Sequence, residues 1–334
     1  MRIILRGAAF AAALMAGVGL AAAQAPVVVK FSHVVAPDTP KGRGADKFKE
    51  LAERYTDNRV KVEVYPNSQL YKDKEEVEAL QLGAVQMLAP SLSKFGPLGA
   101  KEFEVFDLPY ILPDKAALRR VTDGEVGKRL FNKLESKGIV GLAYWDNGFK
   151  VMTANKPLRE PPDFRGLKMR IQSSKVLEAQ FKALGALPQV LPFSDVYQAM
   201  QTGVVDGGEN TPSNVYTQKH HEVQKYLTQS DHGYIGYAVI ANKKFWDGLP
   251  ADLRDGLDKA VKESTAFANE AAQKDNDAAL EAMRKSGRIE FVSLTPEQKA
   301  AWRKALEPVT AEMASRIGKD VIEEFKKEAG APTH

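Results

Sequence analysis

The sequence predicts an α/β protein with two domains, and three observations support this. Strand and helix patterns alternate over residues 27–89, and the same alternation restarts near residue 149. From residue 250 onward the pattern is almost entirely helical, and 251–285 is typical of one long or kinked helix. Alternating strands and helices indicate mostly parallel sheets covered by helices. A chain of 334 residues also fits two domains, at ~100–200 residues each.

The first half opens with a short β-branched strand, 27–32, and a helix introduced by Asp38-Thr39-Pro40. We also predict strands at 59–65, 85–89 and 139–145, a helix at 73–82 and two helices before residue 139. In the second half we predict strands at 149–153, 167–171, 186–191, 204–210 and 233–242, with helices at 173–184 and 194–203. No Gly/Ser spacer joins the halves, so we expect a hinge rather than a flexible tether.

Arg170 is the most informative residue. In the 167–171 strand, Leu167, Met169 and Ile171 alternate with Lys168 and Arg170. The strand lies mid-chain, which predicts an interior position in a sheet covered on both faces. A guanidinium buried there needs an anion, best a carboxylate held by two hydrogen bonds. That carboxylate belongs to the protein or to a ligand, and for this residue alone a structural ion pair is the better interpretation.

The N-terminus predicts export. Residues 1–6 are cationic, 7–20 are apolar and Ala21-Ala22-Ala23 fits signal-peptide cleavage, with Gln24 as the new first residue. The apolar run is short for a membrane span, which makes a signal anchor the weaker alternative. Removing residues 1–23 would leave 311 residues with 45 Lys+Arg and 43 Asp+Glu, because the segment carries two arginines and no acidic residue.

This near-neutral balance argues against nucleic acid or an anionic membrane as partner. The chain has no cysteine, which excludes disulfides, thiolate catalysis and Cys-ligated zinc. The sequence carries no G-x-S-x-G, H-E-x-x-H, Walker or G-x-G-x-x-G motif. The adjacent His220 and His221 suit a solvated helix face better than a metal site, and Asp275-Asn276-Asp277 lacks the glycine and distal glutamate of a calcium loop. We therefore predict neither metal nor cofactor.

Polar residues at strand ends are the remaining candidates. Ser91 and Ser93 follow the third strand, at the edge where α/β sheets bind ligands. Lys150 follows Gly148 in a strand that we expect to neighbour the Arg170 strand. Taken singly, each candidate is better explained by ordinary loop, turn, surface or core roles: His33, Lys41, Ser93, Lys150, Phe193, Asn210, Tyr234 and Tyr237.

Four segments together resemble a known family. They are 31–42 (FSHVVAPDTPKG), 145–150 (WDNGFK), 162–171 (PDFRGLKMRI) and 193–210, which contains FSDVYQAMQTGVVDG and Glu209-Asn210. The chain resembles the substrate-binding proteins of tripartite ATP-independent periplasmic (TRAP) transporters, most closely the four-carbon dicarboxylate-binding DctP type. The similarity runs in order through the whole mature chain.

The resemblance implies the periplasmic solute-binding fold, in which two α/β domains close over an acidic solute and a long helix spans both. It places residues 24–147 plus 236–275 in domain I and 148–235 plus 276–334 in domain II. Arg170 is expected to pair with a substrate carboxylate. Lys150 stands where the wider family usually has arginine, which keeps the charge but gives up the planar fork. The other expected site residues are Asn210 and Phe193 and, from the dicarboxylate-like subset, His33, Lys41, Ser93, Asn214 and Tyr237.

The expected function is capture of succinate, malate or fumarate by a monomeric periplasmic protein that delivers it to membrane permease subunits. One alternative keeps the binding protein but changes the ligand to a monocarboxylate or 2-oxo acid. The other is an exported enzyme acting on a small carboxylic acid, for which the sequence marks neither a nucleophile nor an acid–base pair.

Overall fold

Strands and helices alternate along most of the chain in this computed structural model, which describes residues 25–73 and 75–330. The predicted signal peptide lies outside the described residues. The strands are β1 (Val27–Ser32), β2 (Val60–Tyr65), β3 (Met87–Leu88), β4 (Ile139–Phe149), β5 (Val151–Ala154), β6 (Lys168–Ile171), β7 (Leu187–Val190), β8 (Gly207–Asn210), β9 (Tyr226–Gln229), β10 (Tyr234–Asn242) and β11 (Glu290–Ser293). The helices are α1 (Pro40–Tyr55), α2 (Glu76–Gln81), α3 (Lys115–Asp123), α4 (Glu125–Glu135), α5 (Lys175–Ala183), α6 (Val196–Gln201), α7 (Pro212–Thr217), α8 (Lys243–Asp247), α9 (Ala251–Ser286), α10 (Pro296–Ile317) and α11 (Lys319–Ala329).

Two sheets organise these elements, which confirms the α/β prediction. The first has the order β2-β1-β3-β10-β4, with β1, β2 and β3 parallel and β10 antiparallel to both neighbours. The second has the order β11-β9-β5-β8-β6-β7, with β5 antiparallel to β8 and β9. The predicted domain boundaries stay a prediction. Each sheet draws its strands from one predicted domain, except that the last two residues of β4 and the first two of β10 cross the predicted boundaries.

The 36-residue helix α9 joins the two halves. It packs on α1 and β4 of the first half and on α7 of the second, as expected of a helix that spans both. Its start follows Pro250, and Gly287 ends it in the left-handed conformation that favours glycine (φ 64°).

The C-terminal helices also contact both halves. Trp302 of α10 packs edge-on against Phe164, with ring centroids 5.0 Å apart, and Phe325 of α11 packs against Phe106 at the same separation. Burying such aromatic pairs stabilises the junction through apolar area and edge-to-face geometry. We did not expect α11 to pack on α3 and α4, helices of the first half.

Sequence reasoning missed two strands and predicted one wrong pair of neighbouring strands. β9 and β11 pair with each other at one end of the second sheet, and β11 interrupts the C-terminal region predicted to be almost entirely helical. The prediction that Lys150 lies on a strand next to the Arg170 strand is wrong. Lys150 lies between β4 and β5, and β8 separates β5 from β6. β6 itself is an interior strand, as predicted.

Candidate functional site

A narrow cleft lies between the two sheets, at the ends of β1, β3, β6 and β8. Its cavity volume is about 20 Å³. The walls come from both halves of the molecule: Val34, Val35, Lys41, Asp73, Ser91, Ile235 and Tyr237 on the first side, and Arg170, Gln172, Phe193, Asn210 and Asn214 on the second.

Arg170 lies in the middle of β6 with its side chain buried. Its Nε and Nη2 donate to the Leu191 carbonyl at 3.1 and 2.8 Å, and the guanidinium lies 5.8 Å from the Phe193 ring centroid. These contacts fix the plane of the fork and, among the described residues, leave the N–H groups of Nη1 and the second N–H of Nη2 available. Burial lowers the pKa of Arg170, against the raising effect of Asp73 and Glu209.

Asp73 connects the two sides of the cleft. It lies in the loop before α2, and its Oδ2 accepts a hydrogen bond from the Phe193 backbone N–H at 2.6 Å. The same carboxylate is 3.2 Å from Lys94 Nζ and 3.9 Å from Arg170 Nη2. Burial by itself raises the pKa of Asp73, but Lys94, Arg170 and the Phe193 N–H outweigh burial and lower it.

Lys41 supplies a second buried cation on the first side. The first turn of α1 places it there, after the Thr39 hydroxyl accepts the Gly42 N–H and caps the helix. Lys41 Nζ donates to the Ala89 carbonyl at 3.0 Å and lies 3.9 Å from the Tyr237 ring centroid. Burial lowers its pKa to about 8, although Glu76 and Asp73 act in the opposite direction.

We define the cleft cluster as Lys41, Asp73, Glu76, Lys94 and Arg170. All five side chains are buried. Three are basic and two are acidic, so the cluster keeps a positive balance even with both carboxylates ionised. Such a balance attracts an anion to a site that excludes water.

A network of uncharged groups supports both walls. Asn210 Oδ1 accepts from the Thr211 N–H and from Asn214 Nδ2, both at 2.9 Å. Asn147 Nδ2 donates to Thr211 Oγ1 and to the Tyr237 hydroxyl, both at 2.8 Å. The network fixes which atoms of Asn210, Asn214 and Tyr237 remain to face the cavity. Burial raises the pKa of Tyr237, so its hydroxyl stays protonated.

Lys150 belongs to a second buried group, which we name the crossover cluster: Lys150, Glu209, Ser230 and His232. Lys150 Nζ is 2.6 Å from Glu209 Oε1, and His232 Nε2 is 2.7 Å from Glu209 Oε2. Ser230 Oγ lies 2.8 Å from His232 Nδ1. Burial raises the pKa of Glu209, but Lys150 and His232 outweigh burial and lower it to about 2.

Six of the nine predicted site residues line the cavity, and three do not. The six are Arg170, Lys41, Phe193, Asn210, Asn214 and Tyr237. The Ser93 hydroxyl donates to Asp107 Oδ1 at 2.7 Å instead. His33 is buried, and neither ring nitrogen has a hydrogen-bond partner in the described part of the chain. Burial, then Lys41, lowers its pKa to about 3. Lys150 is paired with Glu209. Direct contact of Ser93, His33 and Lys150 with a ligand therefore stays a prediction.

Sequence reasoning missed several wall and support residues. Asp73 lies in a segment that carries no motif, Gln172 directly follows the 162–171 motif but was not singled out, and Ser91 was named beside Ser93 without being chosen as a site residue. The prediction that His220 and His221 are solvated is wrong, since both are buried and His220 packs edge-on against Phe193. Asn276 also proved buried: its amide donates to Asn147 O at 2.6 Å and accepts from the Ser213 N–H at 2.9 Å.

The comparisons identify the family. Residues 31–317 match the family model described as bacterial extracellular solute-binding protein, family 7. The chain belongs to this family. Because the family consists of solute-binding proteins, the prediction of a binding protein rather than an enzyme is confirmed, as is the resemblance to TRAP binding proteins.

Three named relatives illustrate the similarity within this family. The C4-dicarboxylate-binding periplasmic protein DctP of Rhodobacter capsulatus is 66% identical over 325 residues, covering 97% of this chain and 98% of the relative. A TRAP solute-binding protein of Shewanella oneidensis, solved with bound succinate, is 45% identical with a TM-score of 0.89, covering 91% of this chain and 100% of that one. Another from Pseudomonas aeruginosa, solved with bound L-malate, is 46% identical with a TM-score of 0.83, covering 86% and 100%.

The family description and the relatives indicate that this protein is periplasmic. Within residues 25–73 and 75–330, none of the helices combines the length and the apolar character needed to cross a bilayer. In the same residues, no group of three His, Asp or Glu side chains is placed to hold a metal ion.

Proposed function

We propose that this protein captures a four-carbon dicarboxylate, namely succinate, malate or fumarate, and delivers it to the permease of a TRAP transporter. The observation that carries the proposal is the placement of Arg170 and Lys41 in opposite walls of one buried cleft. Each cation can receive one carboxylate of a short diacid, and the asparagine and tyrosine groups between them can bind the remaining oxygens.

We propose that Arg170 is the principal anchor. Its fork suits a carboxylate better than an ammonium does, because two parallel hydrogen bonds fix the orientation of the ligand. Lys41 and the amides of Asn210 and Asn214 complete the site. The placement of His33, Ser93 and Lys150 favours a supporting role for these three rather than direct contact.

We also propose that binding closes the two domains. Residues 24–147 plus 236–275 would form one domain and 148–235 plus 276–334 the other. Contacts already cross the cleft at Asp73–Phe193 and at the exposed Lys72–Asp195 pair, 2.8 Å. In solution scattering, the radius of gyration of ligand-free protein should decrease when succinate is added. An unchanged curve at saturation would argue against closure.

Export is part of the same proposal: we place signal-peptide cleavage after Ala23, with a monomeric mature protein starting at Gln24. Mass spectrometry of the periplasmic fraction gives the new N-terminus directly.

A ligand screen tests the function. A diacid at ~100 times its dissociation constant should stabilise the fold by about 2.7 kcal/mol, which raises Tm by several degrees at ~2–4 °C per kcal/mol. Monocarboxylates and 2-oxo acids of similar size serve as controls. Diacid recovered unchanged after incubation agrees with a binding protein. A Tm shift with pyruvate-like ligands and none with the three diacids would refute the dicarboxylate assignment.

A further inference from the structure

One buried hydrogen-bond acceptor in the wall of the cleft has no partner. Asn214 lies in α7, is 3% exposed and lines the cleft. Its Oδ1 accepts no hydrogen bond within residues 25–73 and 75–330. A buried acceptor left unpaired costs free energy, because it has given up its hydrogen bonds to water. The missing donor therefore has to come from a water molecule or from a ligand.

The hydrogen bonds around Asn214 fix which of its two amide atoms is the unpaired one. The Thr211 N–H can only donate, so the Asn210 atom that lies 2.9 Å from it is Oδ1. The same Oδ1 is 2.9 Å from the Asn214 amide and receives a hydrogen from Asn214 Nδ2. Turning the Asn214 amide over would place two oxygens against each other. Asn214 Oδ1 is therefore the atom without a partner.

Asn214 can offer the cleft only an acceptor. Its Nδ2 carries two hydrogens and uses both, one toward Asn210 Oδ1 and one toward the Tyr237 hydroxyl oxygen at 3.3 Å. A carboxylate is also acceptor-only, so neither carboxylate of a bound diacid can pair with Oδ1. A hydroxyl group on the ligand can, because it has a proton to donate.

The other polar groups of the wall do not share this property. Among the cleft-lining side chains that the structure describes, Asn214 Oδ1 is the only buried polar atom that lacks a hydrogen-bond partner. Asp73, for comparison, accepts from the Phe193 N–H at 2.6 Å and lies 3.2 Å from Lys94 Nζ. The unpaired acceptor thus belongs to one residue of a wall whose remaining buried groups are satisfied.

We propose that Asn214 is a specificity-determining residue, whose Oδ1 accepts a hydrogen bond from the hydroxyl of a 2-hydroxy diacid. The inference rests on the proposed function and narrows it, since one enantiomer of malate is then preferred over succinate and fumarate. Arg170 and Lys41 hold the two carboxylates, which fixes the ligand chain. Only one configuration at the hydroxyl-bearing carbon then directs the hydroxyl toward Asn214.

Calorimetry on the mature protein with L-malate, D-malate, succinate and fumarate at pH 7 tests the inference. The preferred enantiomer of malate should bind about 3- to 10-fold more tightly than succinate, which is the effect of one added hydrogen bond between uncharged groups. The other enantiomer should bind no more tightly than succinate. This comparison uses only the wild-type protein and holds whether or not the variants below fold.

Asn214→Ala and Asn214→Leu separate hydroxyl recognition from a structural role. Both remove the acceptor, so the ratio of the succinate Kd to the malate Kd should fall to about one. Leucine keeps a similar volume, which controls for new space in the cleft. Loss of the Asn214 donor to Asn210 weakens all diacids alike and cancels in the ratio.

Thr217→Ala is the matched control on the same helix. The Thr217 hydroxyl donates to the Ser213 carbonyl at 2.8 Å and does not line the cleft. Its removal should leave the ratio between the ligands unchanged.

Three results would overturn the inference. Equal binding of succinate and both enantiomers of malate by the wild-type protein removes it and leaves the proposed function standing. A malate preference that persists in both Asn214 variants also removes it, because another group then recognises the hydroxyl. Absence of binding by every diacid removes the proposed function, and the inference with it.

Discussion

The cleft cluster and the crossover cluster are both buried groups of lysine, arginine, histidine and carboxylates, yet they differ in how fully the charges are paired. In the crossover cluster both oxygens of Glu209 have close partners, at 2.6 and 2.7 Å. In the cleft cluster three cations face two carboxylates, Arg170 is 3.9 Å from the nearer one, and Glu76 Oε2 has no hydrogen-bond partner in the described residues.

The difference separates buried charges that are fully paired within the protein from buried charges that keep capacity for an anion. A satisfied pair holds its surroundings in one arrangement and has little capacity left for another anion. A cluster with surplus positive charge in a cavity wall is stabilised further when an anion arrives. Lys150 and Arg170 look alike in the sequence as basic residues of the second half, but their partners give them different roles.

Lys150→Ala should have the largest effect on stability. Removing one partner of a buried pair typically costs ~3–5 kcal/mol, because Glu209 is left charged and buried. The ligand-free Tm should fall by about 6–20 °C. Lys175→Ala, which breaks an exposed pair with Glu178, is the control and should cost less than about 1 kcal/mol. If denaturant titrations show equal losses of the free energy of unfolding in both variants, the buried Lys150–Glu209 pair stabilises the fold no more than an exposed pair does. The distinction between the clusters would then fail.

Arg170→Ala should have the largest effect on binding. Loss of one partner of a desolvated charge pair costs ~2–5 kcal/mol, or roughly 30-fold to several thousand-fold in Kd for succinate. Arg170→Lys should recover at most about tenfold, since lysine restores charge but not the fork. Lys150→Ala should weaken binding less. Calorimetry on the folded variants measures these changes in Kd. If Arg170→Lys binds succinate with wild-type affinity, Arg170 is not the anchor.

Acid should act on the buried His33 and on the crossover cluster in different pH windows. His33 has its pKa lowered from 6.5 to about 3, so the unfolded chain binds the proton first and stability is lost as pH falls from 6.5 toward 3. Glu209 has its pKa lowered from 4.5 to about 2, so its contribution is present above 4.5 and is lost as pH falls toward 2.

Urea unfolding from pH 7 to pH 3 checks this order. His33→Asn should flatten the stability profile between pH 6.5 and 4.5, whereas Glu209→Gln should change the profile only below pH 4.5, from a lower starting stability. This expectation fails if both variants flatten the stability profile over the same range of pH.

Lys72→Ala should have the smallest effect. Lys72 and Asp195 form an exposed pair across the cleft, and such pairs contribute ~0.2–1 kcal/mol. Succinate affinity should fall by less than about fivefold, and the loss should disappear in high salt because the charges are screened. A larger, salt-independent loss would show that this pair, and not only Asp73, holds the cleft closed.

The sequence by itself determined the local elements and the position of Arg170 in an interior strand. The β-branched run of β1, the Thr39 cap of α1 and the long pattern of α9 depend on residues close together in the chain, so periodicity and capping could predict them. The alternation of β6 likewise placed Arg170 in an interior strand. The weak strands β9 and β11 were missed, because only pairing within the second sheet, β11 with β9 and β9 with β5, gives them regular structure.

Only the tertiary structure decided which polar residues meet. Asp73 reaches Phe193 across 120 positions of the chain, and Lys150 meets Glu209 across 59. No spacing rule predicts such partners, since they depend on how two sheets pack against each other. The sequence could identify Lys150 and Lys41 as cations, but burial and partners assign one to the crossover cluster and leave the other facing the cleft.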